Sequence, residues 1–158
     1  MNHQITPCLW FDHQAEEAVS FYVSIFRDST INTVSRYTKE GFETHGQKEG
    51  TVLTVDFQIN GQRFTAMNGG PIFKFNEAVS FQVFCDTQEE IDAYWSKLTE
   101  GGSESECGWL KDKYGVSWQI VPAILPQLIA NPVKAESVMK ALMQMTKFDI
   151  SKLLETAE

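Results

Sequence analysis

Residues 51–67 read TVLTVDFQINGQRFTAM, and this stretch decides the fold. Apolar and polar residues alternate from Val52 to Ile59, the period of a half-buried strand. Asn60-Gly61 follows at once, a dipeptide that tolerates the positive φ angles of a type I′ turn. The pattern predicts a hairpin into residues 62–67. A two-residue turn sets Asp56 opposite Thr65 and Phe57 opposite Phe64. Leu53, Val55, Phe57, Phe64 and Ala66 then share an apolar face suited to packing on helices. Thr54, Asp56, Arg63, Thr65 and Met67 share the other face.

Outward from the hairpin, residues 5–11 read as a strand, with Asp12 as an N-cap for a helix over residues 15–26. Residues 31–37 suggest a second strand, and the polar stretch 38–50, rich in glycine, a mobile loop. The order then recurs. Residues 79–85 alternate as a strand, and Asp86 with Glu89 forms a capping box for a helix reaching about Thr99. Residues 103–110 and 116–121 read as two more strands, joined around Lys113-Tyr114-Gly115. Leu9-Trp10-Phe11-Asp12 ahead of Phe21-Tyr22 parallels Val83-Phe84-Cys85-Asp86 ahead of Tyr94-Trp95, a repeat of roughly 73 residues. Two copies of one βαβββ-type unit are therefore expected in a single domain, 1–158. Module one covers about 4–70, module two about 79–122, and a C-terminal helical extension 123–158. In that extension Asn131-Pro132 would start a helix over residues 133–147, and 151–158 reads as a short tail.

Composition narrows the function. The chain has 158 residues, 42% of them hydrophobic, and a net charge of −8, so a folded core is expected and a nucleic-acid backbone would be repelled. No apolar run is long enough for a membrane span, and the first ten residues lack the pattern of a signal peptide. Cys8, Cys85 and Cys107 form neither a CxxC nor an even set, so a reduced, cytoplasmic protein is expected. Cys8 and Cys107 read as small buried hydrophobes. His3, His13 and His45 lie too far apart in sequence to suggest a metal site, and His13 and His45 should be solvated.

Several stretches together carry a family resemblance: Pro7-Cys8-Leu9-Trp10-Phe11, Glu16-Glu17-Ala18 with Phe21-Tyr22, FTAMNGGP at 64–71, Ser80-Phe81, WLKDKYG at 109–115 and WQIVP at 118–122. Over about residues 4–150 the chain resembles the vicinal oxygen chelate superfamily of glyoxalase, bleomycin-resistance and dioxygenase folds. Within it the chain is similar to the PhnB-like branch, labelled 3-demethylubiquinone-9 3-methyltransferase-like. The resemblance implies an α+β fold in which two βαβββ modules form a curved mixed sheet around a cup, with C-terminal helices added. It also implies a homodimer. Enzymes of the superfamily hold a divalent metal through His and Glu, as a Lewis acid. Position by position, the resemblance puts those ligands at Thr6, Thr65, Ser80 and Gln119.

None of the four is His, Asp or Glu, so neither metal nor cofactor is expected. The expectation is a protein that binds an unidentified small molecule in the cup. Thr6, Asp56, Thr65, Ser80, Gln82 and Gln119 would hydrogen-bond it, and Trp10, Met67, Phe84 and Trp109 would supply apolar contact. The alternative is a metal-dependent lyase, isomerase or dioxygenase, and no catalytic residue is assigned. Methyl transfer is not expected, because no Gly-rich loop of a doubly wound nucleotide fold is present.

Overall fold

The computed structural model describes residues 5–156. The chain divides into two compact units, one up to Lys74 and one from Phe75. The first contains β1 (Cys8–Phe11), α1 (Ala15–Ile25), β2 (Thr30–Arg36), α2 (Phe42–His45), β3 (Val52–Ile59) and β4 (Gln62–Asn68). Its four strands are ordered β1-β4-β3-β2, with β1 parallel to β4 and the other pairs antiparallel. The second contains β5 (Phe81–Cys85), α3 (Gln88–Leu98), β6 (Ser103–Glu104), β7 (Trp109–Lys111) and β8 (Ser117–Pro122). Its order, β5-β8-β7-β6, repeats the same winding. Three helices follow: α4 (Leu125–Ala130), α5 (Ala135–Leu142) and α6 (Ile150–Glu155). The fold is thus α+β, with the repeated unit forming two four-stranded mixed sheets. No helix among the described residues is long and apolar enough to cross a membrane.

The hairpin forms as its sequence predicts. Asn60 has φ 47° and Gly61 φ 73°, and the register pairs Asp56 with Thr65 and Phe57 with Phe64. Val55, Phe57, Phe64 and Ala66 are buried beneath Ala18, Val19 and Tyr22 of α1. Tyr22 and Phe57 stack with centroids 6.5 Å apart, and Phe57 and Phe64 at 5.4 Å. Such offset aromatic pairs add to the burial that drives the packing.

Four local expectations need correction. Asp12 does not cap α1; the Ala15 amide donates to Asn68 Oδ1 at 2.9 Å, so the cap comes from the end of β4. The capping box of α3 sits one residue later, with Thr87 Oγ1 accepting from the Glu90 amide. Glu90 in turn accepts from the Asp86 amide. Residues 103–110 are not one strand, because Cys107 (φ 56°) and Gly108 (φ 77°) make a tight turn between β6 and β7. Asn131 closes α4 rather than opening a helix at 133. Its side chain accepts from the Val133 amide, and α5 begins only at Ala135.

The loop at 38–50 contains α2 and is pinned at its base, where Tyr37 exchanges backbone hydrogen bonds with Gly50 and Thr51. The Tyr37 hydroxyl also donates to the Asn68 carbonyl at 2.6 Å.

Candidate functional site

Each sheet buries one face under a helix, α1 or α3; the other face is open in the first sheet and partly roofed by α4 and α5 in the second. In the first unit the register sets Cys8 beside Thr65 and Trp10 beside Met67, with Asp56 opposite Thr65. These residues share the open face, because side chains alternate along each strand. Thr6, just before β1, is half-buried. Two of the candidates here are already engaged. Asp56 takes a two-point ion pair from Arg63, Nε to Oδ1 at 2.9 Å and Nη2 to Oδ2 at 2.6 Å. That pairing holds the Asp56 carboxyl below the usual carboxylate range. The Trp10 indole donates to the Gly70 carbonyl at 2.9 Å and meets Phe73 edge-on. Its ring lies so close to Gly69 that a Cβ there would sit 2.1 Å from it. Gly69 of FTAMNGGP therefore makes room for an indole.

In the second unit β8 sits between β5 and β7, placing Gln119 beside both Gln82 and Trp109. Gln119 Nε2 donates to Ser80 Oγ at 2.7 Å, and Gln82 Nε2 donates to Gln119 Oε1 at 3.2 Å. Three neutral side chains thus form one hydrogen-bonded chain. They adjoin a cleft of about 370 Å³ lined from the sheet by Gln82, Phe84, Trp109 and Gln119. Leu125, Pro126, Ile129, Met139 and Leu142 of α4 and α5 line it from above. Ser80, Gln82, Phe84, Trp109 and Gln119 are therefore neighbours in one unit, while Thr6, Trp10, Asp56, Thr65 and Met67 belong to the other.

Sequence reasoning missed what surrounds this cleft. The segment after α5 is docked by backbone hydrogen bonds from the Cys107 amide to Met145 and from the Gly108 amide to Thr146, both 2.7 Å. Phe148 is buried, its carbonyl accepts from Gln88, and Lys147 pairs with Asp92 at 2.6 Å. That ion pair holds the Asp92 carboxyl below its ordinary range. A second cleft, about 520 Å³, shares Trp109 and Cys107 and is lined also by Lys111, Glu77 and Ser117. Lys111 and Glu77 are ion-paired there. The buried Ser117 hydroxyl has no hydrogen-bond partner among the described residues.

The cysteines are free. Cys85 is buried, and burial pushes its thiol up to about 12, with Glu90 and Asp86 adding to the effect. Cys8 is exposed and Cys107 half-buried, contrary to their reading as buried hydrophobes, yet partial burial raises both thiols. Neither has the lowered pKa of an activated nucleophile. His13 is exposed beside Asp12. His45 is folded into its own loop rather than freely solvated. It packs on Tyr37, with Nδ1 accepting from the Gln47 amide and Nε2 at 3.1 Å from the Glu40 carbonyl. His3 lies outside the described residues.

At the four positions where the superfamily places metal ligands, the donors are three hydroxyls and an amide, and Ser80 and Gln119 bond to each other. This donor set does not fit a divalent cation, which selects carboxylate or imidazole. Among the described residues no group of three or more His, Cys, Asp and Glu side chains is placed to hold a metal ion.

The repeated βαβββ winding defines a protein of the vicinal oxygen chelate superfamily, with the glyoxalase/bleomycin-resistance fold. The chain belongs to the 3-demethylubiquinone-9 3-methyltransferase family, of PhnB type, whose model matches residues 3–121. It is 41% identical to a PhnB protein from Bacillus cereus, a candidate 3-demethylubiquinone-9 3-methyltransferase. That match has a TM-score of 0.68 and covers 77% of this chain and 100% of the other. A Pseudomonas aeruginosa protein shares the fold at 19% identity, with TM-score 0.60, covering 75% of this chain and 96% of its own. So does the fosfomycin resistance protein FosX from Mesorhizobium loti, at 13% identity and TM-score 0.57, covering 83% and 99%. No curated protein matches the chain. The family match ends at residue 121, ahead of α4, α5 and α6.

Proposed function

We propose that this protein is a cytoplasmic, metal-independent binder of a small molecule, with its site on the open faces of the sheets. The reading takes residues 4–70 and 79–122 as the modules and 123–158 as an appended extension. The observation that carries it is the Ser80–Gln119–Gln82 chain of neutral hydrogen-bonding groups beside the cleft under Phe84 and Trp109. A concave, largely apolar surface with a few convergent polar groups suits a small molecule. Thr6, Asp56, Thr65 and Met67 serve in the same way on the other sheet.

The test is a thermal-shift screen of the full chain against a metabolite library, with S-adenosylmethionine and the chlorides of manganese, nickel and zinc as separate arms. A bound ligand raises the melting temperature by mass action. An uncharged metabolite is expected to raise it by several degrees. Stabilisation by a metal, with stoichiometric metal retained after purification without chelator, would overturn the reading in favour of a metal-dependent lyase, isomerase or dioxygenase. Tight binding of S-adenosylmethionine would overturn it in favour of methyl transfer.

The homodimer belongs to the same proposal. It is supported by β2, an edge strand that among the described residues pairs only with β3 and is largely exposed. Sedimentation at micromolar concentration is expected to show twice the chain mass, and a single 17.9 kDa species would remove the dimer.

A further inference from the structure

We infer that the C-terminal helices complete the 370 Å³ cleft as a site for an uncharged, mainly apolar small molecule carrying a single hydrogen-bonding group. This inference rests on the proposed binding function and names its ligand class. The cleft has two walls of different origin. One is the open face of β5, β7 and β8, within or next to the family match. The other is Ile129 of α4 with Met139 and Leu142 of α5, all beyond that match. The ligand preference set by this wall is therefore particular to chains that carry such an extension.

The lining decides the ligand class. It contains no Lys, Arg, His, Asp or Glu. A charged molecule entering it would give up water without gaining a counter-charge, a costly exchange. Its polar side chains are the amides of Gln82 and Gln119 and the Cys107 thiol, which donates to the Leu142 carbonyl at 3.6 Å. Gln119 Nε2 donates to Ser80 and its Oε1 accepts from Gln82, and each of the two amide NH₂ groups keeps a second N–H. The Gln82 carbonyl oxygen, on an exposed side chain, has no donor among the described residues. Amide oxygen and N–H groups beside Trp109, Phe84 and the methionine-bearing wall suit an apolar body with a single hydrogen-bonding group, such as one N–H. Met139 adds an adaptable surface, since its unbranched thioether fits varied shapes.

The wall also has a fixed seat. The segment that follows α5 is anchored to the Cys107-Gly108 turn and to Gln88, and at the start of the extension the Ala123 amide donates to the Cys85 carbonyl at 2.8 Å.

The probe is N-phenylnaphthylamine, which is uncharged and has one N–H, set against its sulfonated counterpart anilinonaphthalene sulfonate. Energy transfer from tryptophan to the probe reports binding, with Trp109 in the wall. The uncharged probe is expected to bind once per chain, and about tenfold more tightly than the sulfonate, a difference of about 1.4 kcal/mol. Ile129→Trp and Met139→Trp enlarge exposed wall residues and should each weaken it about tenfold. Val133→Trp, at an exposed position outside the lining, should leave binding unchanged. Gln82→Ala should weaken it by a similar factor.

If Gln82→Ala weakens binding while both wall variants bind as the parent does, the extension has no part in the site and only this inference falls. If the probe fails to bind, or binds without regard to Gln82 or either wall, the sheet-face site falls as well. Tighter binding of the sulfonate would overturn the uncharged class. Unchanged circular dichroism and melting temperature establish that each variant is folded.

Discussion

Replacing Asp112 by alanine is expected to cost about 4 kcal/mol of stability, the largest single effect foreseen in the second unit. The side chain is buried at 3% exposure. Oδ1 accepts from the amides of Tyr114, at 2.9 Å, and Val116, at 3.1 Å. Oδ2 accepts from the Trp118 indole at 2.9 Å. Alanine strands the buried Val116 amide and Trp118 indole and leaves the part-buried Tyr114 amide without its acceptor, and each stranded donor costs about 1–3 kcal/mol. Asp112→Asn is expected to lose about half as much, because its amide oxygen still serves the turn while its NH₂ meets the indole N–H donor to donor. Urea unfolding followed by tryptophan emission measures both. A loss below about 1 kcal/mol for the alanine variant would show that the turn stands without its carboxylate.

Gly108→Ala is expected to cost about 3 kcal/mol and to loosen the C-terminal helices. The position has φ 77°, and a Cβ there would lie 2.4 Å from Phe148 Cε2 and 2.8 Å from the Ile120 carbonyl oxygen. The ring could swing away only by leaving its buried seat, and the carbonyl belongs to β8 and cannot move freely. The amides of residues 107 and 108 donate to Met145 and Thr146, so their hydrogen exchange should accelerate in the variant. Phe148→Ala combined with Gly108→Ala should lose less than the sum of the two changes, because one relieves the other's clash. Additive losses would mean that contact with Phe148 is not what excludes a side chain at 108.

The fold was legible where local chemistry and tertiary packing agree. Asn60-Gly61 accepts two positive φ angles and leaves one way to pair residues 52–59 with 62–67. The repeated strand–helix pattern around Phe11 and Cys85 likewise matches two sheets with the same strand order. What escaped was nonlocal or ambiguous. Asp12 and Asn68 are equally good caps by type, and only the parallel pairing of β1 with β4 decides for Asn68. Cys107-Gly108 gives no turn signal by type, because cysteine is not among the usual turn formers.

Site legibility was partial for a similar reason. Alternation along residues 79–85 sets Ser80, Gln82 and Phe84 on one face of their strand, and the structure brings Gln119 beside Gln82 and Trp109 beside Gln119. Parity says nothing about side chains that answer to each other. So it did not reveal that Asp56 is matched by Arg63 or that the Trp10 indole is turned to Gly70. Nor could periodicity say which surface α4 and α5 would cover, since an amphipathic helix records that it is half buried but not against what.

The Asn68 side chain has one more consequence. It seats the Ala15 amide with one end and donates to the Val52 carbonyl with the other, joining positions 53 and 16 residues away along the chain. A polypeptide leaving the ribosome amino end first exposes residues 15–25 long before residue 68, and an 11-residue helix alone in water is marginal. The side chain that seals its leading turn arrives only with the return strand of the hairpin, so helix and sheet share one closing contact.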